Sequence, residues 1–311
     1  MNTTLKVGET LKGAATSYSI TRQIHESVFI AIDSSQRKFI IKSIRGHSRL
    51  QSEAEVLRLF QNRTSALRPL LEEIDDADNP SLILKYLDSD LMAESKKQKL
   101  SRPEIKRVAK TVLEALQVLH DGGYVHTDIK PDNILVDYGQ ETRFSDIKLG
   151  DCGGAVPADS KWAKEGHTVG APIWRSPELL LGLPWGWPTD IWSFGTMIIS
   201  LIYGDDWHMF DPSNDGVAFD DDEFEFTVLK KHHQFLGPFP MTYSEVADKD
   251  AIALIIYAMD SVPAEKRKPF HLITEREMAK EDNVFLQGIM KLDPRQRPTA
   301  KEILKDPWFS D

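Results

Sequence analysis

Apolar and polar positions along the first ninety residues fall in strand-like runs. SYSITRQI and SVFIAID are rich in β-forming residues and sit close together, like the two arms of a hairpin. KFIIKSI reads as a third strand and SLILKYL as a later one. Between them LQSEAEVLRLF has helical spacing, with Leu50, Val56, Leu57 and Phe60 on one arc. From Ser101 onward helices dominate. Ser101 can cap, Pro103 fits a first turn, and Glu104 can reach back to the cap. Ile105, Val108, Val112, Leu116 and Leu119 then mark one apolar face, and Gly122 and Gly123 end it. TDIWSFGTMIISLIYG is apolar nearly all round, which predicts a helix buried inside a lobe. A strand-rich part before a helical part is an α+β plan, with the join expected near Asp88 to Asp90.

Composition narrows the class. The 311 residues are 41% hydrophobic and 28% charged, ordinary for a folded chain. That length suits one large domain or two lobes. There is neither an internal repeat nor a low-complexity tract. A net charge of −10 disfavours a generic nucleic-acid binder and is compatible with basic substrates. The one cysteine, Cys152, excludes an intrachain disulfide and a cysteine metal site, and fits a reducing compartment, cytoplasm or nucleus. MNTTLKVGET has no basic segment followed by an apolar run, so no signal peptide is expected. The longest apolar stretch, near Met197 to Tyr203, is too short to span a bilayer.

The informative chemistry lies in YVHTDIKPDNILV. Two apolar runs flank a polar loop that carries Asp128, Lys130 and Asn133. Phosphoryl transfer to a hydroxyl needs a carboxylate near the incoming oxygen, a cation near the γ-phosphate and an oxygen ligand for Mg²⁺. These three side chains meet those needs. The segment resembles the catalytic loop of eukaryotic-type protein kinases, H-R-D-x-K-x-x-N, with Thr127 in place of the usual arginine and Lys130 as the Ser/Thr-kinase choice. Further segments follow in the family's order. KLGDCGG resembles the metal-binding D-F-G, WRSPE resembles A-P-E, and TDIWSFG resembles the buried helix whose Asp190 braces the catalytic loop. LDPRQRPTAKEIL resembles the closing segment, where Arg297 would pair with Glu178. HTDIKPDN with WRSPE is most similar to the serine/arginine-protein kinases. Arg175 and HHQFLGPFP resemble the wider group with the cyclin-dependent and MAP kinases, whose extra segment would run from Asp211 to Glu281.

The resemblance implies a bilobal fold in a single kinase domain over residues 1–311. The N-lobe would span about 14–87, the hinge about 85–90 and the C-lobe about 91–311. It implies ATP and Mg²⁺ as cofactors, with Asp128 as the base, Lys130 at the transferred phosphoryl, and Asn133 and Asp151 as metal ligands. Lys42 would contact the α- and β-phosphates. Its partner is either Glu53 or Glu55, and helical phase decides: Glu53 lies mid-way along the apolar arc and Glu55 opposite. A carboxylate on an apolar face needs a buried partner, which selects Glu53. In LILKYLDSDL, Leu84 would be the gatekeeper, the backbone of Lys85 and Leu87 would face adenine, and Asp90 would meet the ribose. Leu135 would pack under the purine, and Val28 and Ile40 above it.

Four departures qualify this. The stretch RQIHESVF contains no glycine and is about four residues shorter than the family's Gly-rich loop. Ile40 replaces a small alanine, Cys152 the aromatic of D-F-G, and Ala171 a threonine that bonds the catalytic aspartate. The expected function is ATP-dependent phosphorylation of Ser/Thr hydroxyls on a protein substrate, with basic or Ser/Arg-rich sequences as the class the resemblance points to. No direct nucleic-acid or membrane partner is expected. The alternative is a scaffold with weak or no catalysis, because the Gly-rich loop is missing.

Overall fold

The computed structural model describes residues 5–46, 48–76 and 78–310. The chain groups into two compact units: 1–90 with 134–155, and 91–133 with 156–311. A single cut near residue 90 leaves 134–155 with the helices, whereas the structure groups that segment with the strands. The cause is nonlocal pairing. In the first unit the elements are β1 (Thr10–Lys12), β2 (Ser17–His25), β3 (Val28–Ile32), β4 (Lys38–Ser43), α1 (Ser48–Phe60), β5 (Leu70–Ile74), β6 (Ser81–Lys85) and β7 (Ser89–Asp90). In the second unit are α2 (Leu91–Lys97), α3 (Arg102–Asp121) and β8 (Tyr124–Val125). The chain then returns to the first unit with β9 (Ile134–Tyr138) and β10 (Phe144–Leu149), where β9 pairs with both β10 and β7. A bridge joins Leu67 to Leu149, and the turn Cys152–Gly154 packs on α1.

The first unit is built on an antiparallel sheet of order β1-β2-β3-β4-β6-β5. Register fixes what shares a face. Lys42 lies between Val28 and Leu82, and Ile40 between Ile30 and Leu84. Because side chains alternate along a strand, these six positions line one face. The opposite face holds a core of Tyr18, Ile20, Phe29, Ala31, Phe39, Ile41 and Ile83, with Tyr18 edge-on to Phe39 at 5.0 Å. Strand β5, LLEEI, is one the sequence pattern passes over. Its adjacent acids break apolar alternation, yet Glu72 is held because it accepts the Tyr18 hydroxyl at 2.7 Å.

The second unit continues with β11 (Val156–Pro157), α4 (Lys161–Lys164), α5 (Pro177–Leu180), α6 (Trp187–Tyr203), α7 (Phe224–Leu236), α8 (Lys249–Asp260), α9 (Lys280–Ile289) and α10 (Ala300–Ile303). Helix α3 begins as its sequence suggests: the Ser101 N–H and hydroxyl donate to the Glu104 carboxylate at 2.6 and 2.7 Å. Its face of Ile105, Val108, Val112, Leu116 and Leu119 is buried. Helix α6 is buried from Thr189 to Ile202, so its peptide groups and apolar side chains form the centre of this unit. Among the described residues no helix is long and apolar enough to cross a membrane.

Candidate active site

The strand-rich unit carries the residues assigned to the nucleotide. Lys42 donates from Nζ to Glu53 Oε1 at 2.9 Å and Oε2 at 2.8 Å, and to Asp151 Oδ1 at 2.8 Å. Glu53 is buried on α1 and Glu55 is exposed, so the helical phase read from the apolar arc is the phase in the structure. Burial alone would lower the Lys42 pKa, but the two carboxylates outweigh it and hold the ammonium above its ordinary range. A lone buried ammonium would cost several kcal/mol, on the order that drives such groups to neutralise, so the paired carboxylates are what keep Lys42 charged. Asp151 occupies the left-handed region at φ 55° and ψ 58°, which aspartate tolerates. Its carboxylate stays half exposed.

Val28, Ile40 and Leu84 share the Lys42 face, and Leu84 is fully enclosed. Leu87 is buried, and Asp90 on β7 pairs in register with Leu135 on β9. The Lys85 side chain instead holds Asp137 at 2.9 Å and Asp146 at 2.7 Å. Where the Gly-rich loop would be, β2 runs to His25 and β3 starts at Val28, with His25 opposite Val28. Glu26 and Ser27 alone make the connection, a two-residue hairpin with no span of free backbone amides. Cys152 is buried against this unit's α1 side.

Arg68 is a buried cation near Glu53 and Asp151 that the sequence reading misses. Its side chain is buried, and Nε donates to the Lys85 carbonyl at 2.9 Å. Burial lowers its pKa to about 10, against the opposing pull of Glu53 and Asp151, so it remains a cation at neutral pH. The available signal was an arginine between Leu67 and Pro69 in an otherwise apolar approach to a strand.

The helical unit carries the catalytic loop. Asp128 Oδ2 receives Nδ2 of Asn133 at 2.9 Å and lies 3.3 Å from Lys130 Nζ. Asn133 Nδ2 also donates to the Asp128 carbonyl at 2.7 Å. Among the described residues this leaves Asp128 Oδ1 and Asn133 Oδ1 without a hydrogen bond. The loop is pinned from below by buried Asp190, which accepts the His126 N–H at 2.7 Å, the Thr127 N–H at 2.8 Å and a contact from His120 Nε2 at 3.0 Å. Thr127 is held at φ 73°, strained for a β-branched residue. Gly170 is required opposite it: at φ +68°, an added Cβ would stand 2.5 Å from the Thr127 carbonyl. Farther off, Arg297 grips Glu178 through Nη1 at 2.6 Å and Nη2 at 2.8 Å, both side chains buried.

Residues 12–309 match the family model described as the protein kinase domain. The chain belongs to the protein kinase domain family. This kinase domain is 41% identical over 106 residues to the serine/threonine-protein kinase shk1/pak1 of Schizosaccharomyces pombe, covering 34% of the chain and 15% of that protein. It is 32% identical over 212 residues to the human serine/threonine-protein kinase PAK 4, covering 68% of the chain and 28% of that protein. Over 237 residues it is 27% identical to the serine/threonine-protein kinase AFC2 of Arabidopsis thaliana, covering 66% of the chain and 53% of that protein. The kinase domain thus spans less than a third of the length of the first two relatives.

Proposed function

We propose that this chain is an ATP-dependent protein Ser/Thr kinase. The observation that carries the reading is the Asp128–Lys130–Asn133 loop braced by Asp190. Asp128 Oδ1 orients the acceptor hydroxyl and takes its proton as oxygen bonds to the γ-phosphorus and ADP departs. Lys130 offsets the charge of the transferred group. Lys42, held cationic by its carboxylates, serves the α- and β-phosphates. Mg²⁺, when bound, screens the phosphate charge, and Asn133 and Asp151 are its proposed ligands; both offer the hard oxygen that this cation prefers. Because the transition state is loose, most of the protein's contribution is alignment and charge, which is why a rigid loop matters more than a reactive side chain.

The named relatives support Ser/Thr specificity. A finer place near the serine/arginine-protein kinases rests on HTDIKPDN and WRSPE; relatives named PAK and STE20 do not carry it. Basic or Ser/Arg-rich substrates and a cytoplasmic or nuclear setting belong to the same proposal, supported by the acidic net charge and the single cysteine. The test is phosphate transfer from ATP to a basic protein, wild type against Asp128→Asn. That substitution keeps the shape and removes the base, so turnover should fall at least ~10²-fold with nucleotide affinity little changed. Equal transfer by both proteins would refute the mechanism, and no transfer by either would favour a scaffold.

A further inference from the structure

We propose that the helical unit carries a binding site for an uncharged, apolar small molecule, lined by the link between α5 and α6 and by the turn Met241–Glu245. The site lies wholly within that unit and is independent of the kinase reading. It is a pocket of about 500 Å³, within the range that small-molecule sites occupy. Leu183, Pro184, Trp185, Trp187, Pro188 and Tyr243 form its walls. The run PWGWP supplies most of them. Gly186 puts no side chain between the two tryptophans, and a Cβ there would meet only Pro188 Cδ, at 3.7 Å. The prolines fix φ, so these walls need little ordering when something binds. Trp185 is held in place, since its backbone N–H donates to Ala163 O at 3.1 Å and its indole N–H to His167 O at 2.9 Å. The Tyr243 hydroxyl donates to Leu292 O at 3.0 Å, and its ring stands edge-on to Phe239 at 5.3 Å.

The charges at the pocket decide the chemical class. Glu178 and Arg295 are its two charged lining residues, and both are spent within the protein. Glu178 is gripped by Arg297 through both oxygens. Arg295 donates to Asp293 at 3.0 and 2.8 Å, to Glu245 at 2.6 Å and to Thr242 O at 2.9 Å. An ionic ligand would therefore leave water for a site whose counter-charges are already taken, which is costly. An uncharged apolar ligand gives up little and gains burial against indole and proline. Occupancy would also reach the chain that follows Asp151. Trp185 shares a buried cluster with Val125, Ala163 and Leu179, with Val169 packed against it. Its two hydrogen bonds hold Ala163 and His167 directly. A ligand against Trp185 therefore steadies residues 163–169.

The test titrates the full chain, without nucleotide, with N-phenyl-1-naphthylamine, a neutral probe that fluoresces in apolar surroundings. Displacement is then compared for decan-1-ol, decanoate and decylammonium, which share a chain and differ in charge. Hydrogen exchange of the Trp185 amide is read with and without decan-1-ol. The wild type should bind the probe saturably, and the alcohol should displace it at a concentration roughly tenfold or more below either ion. The Trp185 amide should exchange more slowly with the alcohol bound. Val246→Asp sets a charge at the rim, where Val246 is 36% exposed, and Gly186→Phe fills the gap between the tryptophans. Thermal melting identifies which variants fold, and each folded variant should bind the probe roughly tenfold or more weakly. Unchanged binding in both folded variants, or ions that displace as well as the alcohol, overturns the site. Unchanged Trp185 exchange in the occupied protein overturns its link to residues 163–169. Absence of saturable binding by the wild type also overturns the proposal, and leaves the pocket to an apolar side chain of a protein partner.

Discussion

The His126–Asn133 loop and the β2–β3 hairpin have departed from the family pattern to different degrees. The loop keeps its aspartate, lysine and asparagine and changes one charged position, the usual arginine now Thr127, whose backbone N–H still reaches Asp190 at 2.8 Å. The hairpin has lost a whole phosphate-covering loop and connects His25 to Val28 by two residues. The difference follows from what holds each. The loop is fixed through its backbone by a buried carboxylate, so a side chain can change while geometry stays. The hairpin is a solvent-facing connection between two strands, which can shorten without disturbing the Phe29, Phe39 and Ile41 core beneath. Catalytic alignment should therefore be intact and nucleotide affinity weak, a contrast that can be broken from either side.

The largest effect should come from the support of the helical unit. Glu178 and Arg297 are almost fully enclosed, and Arg297 also donates to Pro188 O at 2.9 Å and Leu292 O at 3.0 Å. Glu178→Ala leaves that guanidinium buried without its anion. The expected loss is about 3–5 kcal/mol of stability by denaturant unfolding. A loss under about 1 kcal/mol would show that the carbonyls suffice, and that the unit's rigidity has another source.

Acid should separate the two units. Burial pushes His208 down to about 3, with Asp211 opposing and Lys231 adding to the fall, and it also lowers His232 and His233. All three lie in the helical unit. An unfolded histidine binds a proton below about 6.5, while folded His208 does not until about 3, so stability rises with pH across that window and falls on acidification. The slope per histidine is about 1.4 kcal/mol per pH unit. All seven tryptophans also lie in this unit, so tryptophan emission reports its melting. His208→Asn retains an acceptor for the Phe210 N–H, now bonded at 3.1 Å, without a titrating ring. Its melting midpoint should depend less on pH between 6.5 and 4 than the wild type's; identical slopes would clear His208 of the effect.

How much of this was legible in the sequence depends on locality. Asp128, Lys130 and Asn133 sit within six residues, so their chemistry could be read together. Glu53 was legible because one helix carries the phase, and its neighbours Leu50, Val56, Leu57 and Phe60 are buried with it. Arg68 was not, since a single arginine in a short apolar run reads the same whether it faces water or Lys85 O, and its partner is seventeen residues away. The return of 134–155 to the strands escaped for the same reason. It depends on pairing between Asp90 and Leu135 and on the bridge from Leu67 to Leu149, which no local pattern encodes.

Restoring the missing loop tests the weak side directly. Replacing Glu26–Ser27 with a longer connection containing three glycines should return free backbone N–H groups over the phosphates. The ATP KM should fall about tenfold, near the worth of one charge-assisted hydrogen bond, with kcat little changed. A graft that raised kcat and left KM alone would mean that alignment, not affinity, is what the short hairpin limits.

The smallest effect is expected at the departure inside the catalytic loop. A phosphate on the segment after Asp151 ordinarily has an arginine partner at the position that Thr127 occupies. Thr127 has no cationic group, so a phosphate at Ser160 or Thr168 gains no charge-assisted contact there. Ser160 is already engaged locally, since its hydroxyl accepts the Ala163 N–H at 3.3 Å and caps the four-residue helix α4. Ser160→Ala should cost about 1 kcal/mol of local stability, the ordinary value of a cap, confined to that turn. Turnover by Ser160→Ala, by Thr168→Ala and by phosphatase-treated wild type should then stay within about twofold of the untreated protein, below half a kcal/mol on the barrier. Turnover that appears only after phosphorylation of either residue would show that another cation reads the phosphate, and that the catalytic loop is less complete than its hydrogen bonds to Asp190 suggest.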